Sequence, residues 1–275
     1  MSHALSIRPA TAPVGPAALT GGRAPAAAHT PAGPPRIVAH RGGALLAPEN
    51  TMAAFRAGLA AGARTLECDV RLTRDGHLAV HHDDTITRMA APTSVRTRGR
   101  IADLTRAQLE QVELRGGHRI PFLEDVLALA GAAGASVYIE VKVAAAAEPV
   151  ARMIQEMRTG EAAHAGDAVI SFHPDALQVV GRILPDVDRS FLVHWTRRAA
   201  FDVIESVGAR WLGARIDGIR SGAVTEAHRR GLRVNVWTVN SHRQLSRALA
   251  SGADTVTTDD PHWAARRLGL GSAAH

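Results

Sequence analysis

Apolar and polar positions follow two different periods, which alternate along the chain from Arg36 onward. Short runs rich in β-branched residues predict strands, and stretches with apolar positions at helical spacing predict helices. The predicted strands are 36–40, 65–70, 136–142, 168–172, 189–193, 210–216, 233–239 and 254–258. The predicted helices are 50–61, 122–133, 145–158, 174–183, 197–207, 221–230, 241–250 and 261–268. Eight alternating units predict an α/β fold whose parallel sheet closes into a (β/α)₈ barrel.

An open, doubly wound sheet is the alternative arrangement of such units. That fold typically carries a G-x-G-x-x-G sequence after its first strand, where it binds a nucleotide. Here the first predicted strand runs into HRGG at 40–43, which lacks that spacing. A length of 275 residues also suits a single barrel of roughly 250 residues. We therefore expect the barrel.

The segment after strand 65–70 breaks the alternation, because two extended runs are joined there by Asp75-Gly76. An Asp-Gly pair between such runs is typical of a two-residue hairpin turn, in which both central residues take positive φ. A turn centred on this pair places Asp69 opposite His82. The pattern thus predicts a small hairpin extension after the second strand, with His81 pointing away from His82.

Residues 1–35 are rich in Ala, Pro, Gly and Thr, which predicts a disordered tail before a catalytic barrel at 36–270. Pro and Gly interrupt each candidate for the apolar core of a signal peptide, and a misassigned start codon would account for the tail equally well. No run of about 18 apolar residues occurs, and the single cysteine, Cys68, excludes an internal disulfide. These features predict a cytoplasmic protein without stable membrane insertion.

The net charge of +6 says little about the kind of partner that the protein binds. The basic residues are dispersed and few aromatic residues lie between them, which does not predict a nucleic-acid partner. A positive field would instead help to attract a small anionic substrate. Lys142 is the only lysine among many arginines, so it marks either a place that needs a compact ammonium or a chance survivor on the surface.

Side chains capable of catalysis or metal binding fall near the C-terminal ends of predicted strands, where barrels of this kind form their active sites. They are His40 and Arg41 after the first strand, Glu67 and Asp69 on one face of the second, and Glu140 and Lys142 on one face of the third. Three carboxylates packed together repel one another unless a cation lies among them. Hard oxygen ligands suit Mg²⁺ or Ca²⁺ better than zinc, so Glu67, Asp69 and Glu140 predict one such cation.

Two histidines near a cation, one on either side of a phosphate, are what acid–base cleavage of a P–O bond requires. His40 and His82 are the predicted pair. Arg41 and Lys142 would add positive charge against the phosphate oxygens. Trp237, near the end of the seventh strand, either lines the mouth against an apolar or choline-like group or belongs to the core.

With these residues in order, the sequence resembles the glycerophosphodiester phosphodiesterase family from about Arg36 to Pro261. The motifs that carry the resemblance are HRGG at 40–43, PENT at 48–51, ECDV at 67–70, LTRDGHLAVHHDD at 72–84, IPFLEDVL at 120–127, IEVK at 139–142, and VWTVN followed by TTDDP. The resemblance implies hydrolysis of a small-molecule glycerophosphodiester to an alcohol and sn-glycerol 3-phosphate. It implies metal ligands at Glu67, Asp69 and Glu140, general acid/base roles at His40 and His82, and substrate or phosphate contacts at Arg41, Glu49, Asn50 and Lys142.

Three alternatives stay open. Only 37 residues separate His82 from IPFLEDVL, and this short insertion predicts an open mouth that would also accept a lipid, as in lysophospholipase D or sphingomyelinase D-like cleavage. The loops after His82 are mostly polar and basic, which disfavours that function.

A barrel that only binds a ligand is disfavoured because both histidines and all three carboxylates are present. Within hydrolysis, either water or a glycerol hydroxyl could attack first, the latter giving a cyclic phosphate. The sequence predicts neither the head group nor the oligomeric state.

Overall fold

Eight parallel strands close into a barrel in the computed structural model, which describes residues 27–31, 33–158, 166–220 and 222–270. The strands are β1 (Arg36–Ala39), β2 (Thr65–Leu72), β3 (Leu78–Val80), β4 (Glu113–Leu114), β5 (His118–Arg119), β6 (Ser136–Val141), β7 (Ala168–Ser171), β8 (Asp188–Val193), β9 (Trp211–Arg215), β10 (Arg233–Trp237) and β11 (Thr255–Thr258). The barrel contains all of these except β3, β4 and β5, and it closes because β1 pairs with both β11 and β2. The predicted (β/α)₈ barrel is confirmed.

A helix follows each barrel strand along the chain. The helices are α1 (Met52–Ala60), α2 (Arg106–Glu110), α3 (Leu123–Ala132), α4 (Ala147–Arg158), α5 (Pro174–Ile183), α6 (Arg198–Ser206), α7 (Ala223–Arg229), α8 (His242–Ser251) and α9 (Pro261–Arg267). Helix starts carry the expected signals. The hydroxyl of Thr51 accepts the Ala54 N–H ahead of α1, and α5 and α9 each begin with a proline, whose missing N–H is not needed there.

Successive side chains of β2 point to opposite faces of the strand, apolar ones toward the helices and acidic ones into the barrel. Leu66, Cys68 and Val70 are fully buried in the apolar layer between the strands and the helices. The intervening Glu67 and Asp69 are buried on the other face of the strand, which points into the barrel. One strand therefore supplies both the core and two acidic groups, and Cys68 is a packing residue.

The insertion between β3 and α3 is a packed lobe, larger than the predicted hairpin. It contains α2, the β4–β5 pair and its own apolar cluster. The buried members of that cluster are Ala79, Ile86, Ala90, Ile101, Leu104, Leu109, Val112, Leu114, Ile120 and Phe122. Ala79 of β3 forms a bridge with Phe122, so the lobe is fixed to the hairpin at the edge of the barrel.

The predicted register of the hairpin is wrong by one residue. In the antiparallel pairing of β2 with β3, Val70 lies opposite Val80. The next backbone contact is the His81 N–H donating to the Asp69 carbonyl at 2.9 Å. His81, and not His82, is therefore the residue opposite Asp69.

The turn itself explains the shift. The Thr73 N–H donates to the His77 carbonyl at 2.9 Å, so three residues form the loop instead of two. Gly76 is the loop residue that takes a positive φ, of 83°. Asp75 is held in place as an acceptor, from the Thr73 hydroxyl at 2.7 Å and from the Arg106 N–H at 3.0 Å. Such a three-residue loop, with glycine in the left-handed position, is the next most common hairpin connection after the two-residue turns.

Residues 1–26 and 32, most of the predicted disordered tail, lie outside the described residues, and their disorder stays a prediction. Before the barrel, the described residues 27–31 lie against it, where the His29 N–H donates to the His228 carbonyl at 2.8 Å. Within the described ranges, no helix is long and apolar enough to cross a membrane.

Candidate active site

A tight bend after β1 places the first candidate residues at the C-terminal mouth of the barrel. Residues 40–43 turn sharply, with Arg41 at φ 50°, Gly42 at φ 84° and the Gly43 N–H donating to the His40 carbonyl at 2.8 Å. A Cβ at Gly42 would lie 2.6 Å from the Phe55 nitrogen, so only glycine allows α1 to approach this closely. The bend directs the Arg41 backbone N–H to Oε2 of Glu67 at 2.8 Å.

The three predicted metal ligands converge in this mouth. Asp69 of β2 lies directly opposite Glu140 of β6 in the parallel pairing, and Glu67 is two residues earlier on the same face. One oxygen of each carboxylate lies within 4.8 Å of the others. Glu67 and Asp69 are almost fully buried, and Glu140 is partly buried.

The electrostatics of this acidic trio reflect burial and mutual repulsion of the carboxylates. Burial, and then the charge of Asp69, raises the pKa of Glu67 to about 8. Burial alone would also raise the pKa of Asp69, but the charges of Lys142 and Arg41 lower it to about 2. The buried Oε1 of Glu67 has no hydrogen-bond partner among the described residues. An unpaired carboxylate oxygen facing two further carboxylates fits a divalent cation with hard oxygen ligands.

His40 is held by a residue that sequence reasoning missed. Its Nδ1–H donates to Oδ1 of Asp259 at 2.5 Å, which turns Nε2 toward Glu67, 4.0 Å from Oε2. Burial lowers the pKa of His40, but the Asp259 hydrogen bond and the Glu67 charge outweigh it and hold the pKa above its usual value. Asn240 fixes Asp259 in turn through its side-chain amide.

His82 reaches the mouth although its predicted register is wrong. Strand β3 ends at Val80, so the chain has left the sheet by His82 and its side-chain direction no longer follows strand alternation. Its Nδ1 lies 2.8 Å from Oδ1 of Asp83, and its carbonyl accepts the Arg71 Nε–H at 2.9 Å. Burial lowers the pKa of His82. His81, by contrast, is buried with its Nε2 3.1 Å from the Thr85 carbonyl.

The predicted phosphate-contact residues divide into two groups. Arg41 and Lys142 line the cavity, and the Lys142 Nζ lies 2.7 Å from Glu140 and 3.3 Å from Asp69. Glu49 instead accepts a hydrogen bond from Arg41 at 2.8 Å. The Asn50 amide donates to Asp69 at 2.8 Å. Glu49 and Asn50 therefore orient other members of the site, and their direct contact with substrate stays a prediction.

Three aromatic side chains line the same cavity of about 260 Å³ as the charged groups. Phe172 and His194 stack at 4.9 Å between ring centroids, and Trp237 meets both edge-on at 5.6 and 5.5 Å. Trp237, for which the sequence left the mouth and the core open, lines this cavity. Phe172 and His194 were not predicted as lining residues, although each follows directly after its strand, which is the position from which a barrel strand supplies its mouth.

Comparison with known proteins agrees with this geometry. The sequence model described as the glycerophosphoryl diester phosphodiesterase family matches residues 40–262. The chain is similar to YqiK of Bacillus subtilis, with 30% identity over 248 residues that cover 85% of this chain and 98% of that protein. It is also similar to the glycerophosphodiester phosphodiesterase of Caldanaerobacter subterraneus, with 29% identity over 237 residues that cover 82% and 94%.

Solved structures share the fold. A Silicibacter pomeroyi glycerophosphoryl diester phosphodiesterase, named as putative, matches with a TM-score of 0.78 at 24% identity, covering 88% of this chain and 95% of that one. An Oleispira antarctica phosphodiesterase, solved with the product sn-glycerol-3-phosphate, matches with a TM-score of 0.77 at 22% identity, covering 86% and 97%. Because the family match spans most of the chain, this protein belongs to the glycerophosphoryl diester phosphodiesterase family of phosphoric diester hydrolases.

Proposed function

We propose that this chain is a metal-dependent enzyme that hydrolyses small glycerophosphodiesters to an alcohol and sn-glycerol 3-phosphate. The observation that carries the proposal is the unpaired, buried Oε1 of Glu67, which lies in a trio of carboxylates. Two of them, Glu67 and Glu140, line one cavity with two histidines. The Oleispira antarctica neighbour, which was solved with sn-glycerol-3-phosphate as its product, supports this choice of product.

Glu67, Asp69 and Glu140 would hold one Mg²⁺ or Ca²⁺, because all three offer oxygen ligands. When bound, the cation supplies positive charge that polarises the phosphate. Lys142 and Arg41 border the same cavity and place an ammonium and a guanidinium against the phosphate oxygens. Lys142 is tied to Glu140 and Asp69, so its ammonium stays next to the acidic trio.

The two histidines receive different roles from their surroundings. Burial lowers the pKa of His82, which favours a neutral ring whose Nε2 can take a proton from the attacking water or glycerol hydroxyl. Asp259 stabilises a protonated His40, which can give the proton at Nε2 to the departing alcohol oxygen. Two titratable groups whose pKa values are pushed apart are the usual sign of an acid and a base.

A substrate panel tests this function. Purified protein with Mg²⁺ or Ca²⁺ would be given glycerophosphoglycerol, glycerophosphoethanolamine and glycerophosphocholine, and the products followed by ³¹P NMR. We expect sn-glycerol 3-phosphate and the free alcohol. A transient cyclic phosphate would show that a glycerol hydroxyl attacks first, and its absence would favour water. Release of a phosphorylated head group, or no hydrolysis of any substrate with either cation, would contradict the proposal.

A lipid phosphodiester is the second candidate substrate, because of two exposed apolar side chains at the mouth. Leu45 is 69% exposed and Trp195 is 63% exposed. They lie in the loops that follow β1 and β8, on opposite sides of the barrel. These two exposed apolar side chains favour contact with a lipid, whereas the polar loops after His82 disfavour it. Choline release from lysophosphatidylcholine but not from glycerophosphocholine would favour this candidate.

Binding of Mg²⁺ to metal-free protein is expected to release a proton from Glu67. Burial and the Asp69 charge raise the pKa of Glu67 to about 8, so this carboxyl holds a proton at neutral pH until a cation replaces it. Calorimetric titration with Mg²⁺ in buffers of different ionisation enthalpy measures the release. We expect about one proton per site for the wild type and none for Glu67→Gln. Equal proton release by both proteins would place the titrating group elsewhere.

The raised pKa of Glu67 should also make the free energy of unfolding of the metal-free protein depend on pH. A carboxyl whose pKa is higher in the folded than in the unfolded chain keeps its proton only when folded, between 4.5 and about 8 in this case. The free energy of unfolding should therefore fall as the pH rises through that window. Saturating Mg²⁺ should reduce the slope, and denaturant titrations at several pH values, with and without Mg²⁺, measure it.

A further inference from the structure

A second group of metal-ligating side chains lies at the opposite end of the barrel. Asp254 comes immediately before β11, and its carbonyl accepts the Arg36 N–H at the start of β1. His228 belongs to α7, and His29 lies in the segment ahead of β1. Three distant parts of the sequence thus meet at the N-terminal end of the strands, where barrels place residues that matter for stability.

The donor atoms of this group are close together. His29 Nε2 lies 2.5 Å from Oδ1 of Asp254, and His228 Nε2 lies 2.9 Å from Oδ2. One ligand atom from each of the three residues lies within 4.8 Å of the other two. The two imidazole rings meet edge-on, with 5.1 Å between their centroids, and both Nε2 atoms lie within hydrogen-bonding distance of the Asp254 carboxylate.

The surroundings hold the carboxylate and leave one side open. The Val234 N–H donates to Oδ2 of Asp254 at 2.7 Å, which fixes its orientation as supporting hydrogen bonds do in metal sites. His29 and Asp254 also border a solvent-accessible cavity of about 390 Å³. A water molecule from that cavity could complete a four-coordinate ion.

Two imidazole nitrogens and one carboxylate oxygen are a donor set for zinc and similar transition metals. Mg²⁺ and Ca²⁺ prefer oxygen ligands, as in the acidic trio at the other end. A metal-free arrangement is the alternative, in which each Nε2–H donates to Asp254 and the three residues form a hydrogen-bonded tether. The 2.5 and 2.9 Å distances are those of the direct hydrogen bonds. A zinc ion would replace the two protons and move the ligand atoms slightly apart, so the two arrangements differ in whether the protein takes up zinc.

We propose that His29, His228 and Asp254 form a zinc-binding site that fastens residues 27–31 to the N-terminal end of the barrel. His29 is the part of that segment that the ion would hold, in addition to its N–H bond with the His228 carbonyl. The site is structural, because it lies across the barrel from the cavity of His40 and His82. Zinc therefore stabilises the folded chain without taking part in hydrolysis.

The test separates the two metal sites by their ligand preferences. Full-length protein without an affinity tag would be saturated with Mg²⁺, then dialysed against dilute Zn²⁺ and analysed for bound zinc. Co²⁺ would serve as a spectroscopic probe, because a four-coordinate Co²⁺ ion absorbs strongly in the visible range. We expect one zinc per wild-type chain, an increase in the melting temperature on zinc binding, and loss of the zinc and the visible band in both His29→Ala and His228→Ala.

His242→Ala is the matched control, since His242 is an exposed histidine at the start of α8 and should keep the zinc. His29→Ala should keep its hydrolytic activity with Mg²⁺. His29 precedes the first strand, so this variant gives an answer even if His228→Ala does not fold. No zinc uptake by the wild type, equal uptake by the wild type and His29→Ala, or loss of the zinc in Glu67→Gln instead would each overturn the proposal.

Discussion

Replacing His82 by alanine is expected to lower kcat by about 10²–10⁴-fold, the range for loss of one acid–base group. Its ring lines the cavity beside Glu140 and Lys142, and its backbone carbonyl is fixed by Arg71. The side chain is partly exposed, so its removal should cost little stability. Steady-state kinetics on a glycerophosphodiester, with a thermal melt of the same sample, measure both effects.

His81→Asn is the matched control for this prediction. His81 is the adjacent histidine, but it is buried and its ring contacts the Thr85 carbonyl. We expect a lower melting temperature, because a buried hydrogen bond is lost, and a kcat near the wild-type value for the folded fraction. If His81→Asn lost as much activity as His82→Ala while remaining folded, the assignment of the base to His82 would be wrong.

Replacing His40 by alanine is expected to lower kcat by a similar factor of about 10²–10⁴, but only for substrates with a poor leaving group. An alkoxide from glycerophosphoethanolamine needs a proton as it leaves, whereas p-nitrophenolate does not. His40→Ala should therefore lose much less activity on a p-nitrophenyl phosphodiester. His82→Ala should lose activity on both substrates, and the opposite pattern would exchange the two roles.

Asp259→Asn tests the positioning of His40 separately from its chemistry. Asp259 accepts the His40 Nδ1–H and helps to hold the pKa of His40 above its usual value. Its replacement should lower that pKa, so the alkaline limb of the pH–kcat profile should move to lower pH. We expect a loss of about 10–100-fold in kcat, the range for removing a supporting hydrogen bond. An unchanged profile would show that Asp259 acts only on structure.

Much of this site could be predicted from the sequence because barrel geometry makes strand ends converge. Glu67, Asp69 and Glu140 follow from alternation on two strands, and the structure brings them together. The fold could also be predicted from the sequence, because eight alternating strand–helix units allow few arrangements other than a closed barrel. His82 was placed in the mouth through an incorrect register, because sequence alone does not distinguish a two-residue from a three-residue turn around Asp75-Gly76.

Other features depend on contacts that local sequence does not encode. Asp259 becomes the partner of His40 only because β11 and β1 are neighbours where the barrel closes. Its one signal was the TTDDP motif, in which Asp259 comes directly after the last strand. Phe172 and His194 follow β7 and β8, and they line the same cavity as Glu67 and Glu140 only because β6, β7 and β8 are neighbours in the barrel. Such long-range pairings follow from tertiary structure and not from the period of a segment.

The central claim is that a divalent cation bound by Glu67, Asp69 and Glu140 is required for hydrolysis. The direct test is to strip the protein of metal with a chelator, remove the chelator, and measure phosphodiester hydrolysis while Mg²⁺ or Ca²⁺ is added back. We predict activity at background without metal, full recovery with one of these cations, and no recovery in Glu67→Gln. Wild-type activity that persists in the metal-free protein, or equal recovery in Glu67→Gln, would contradict it.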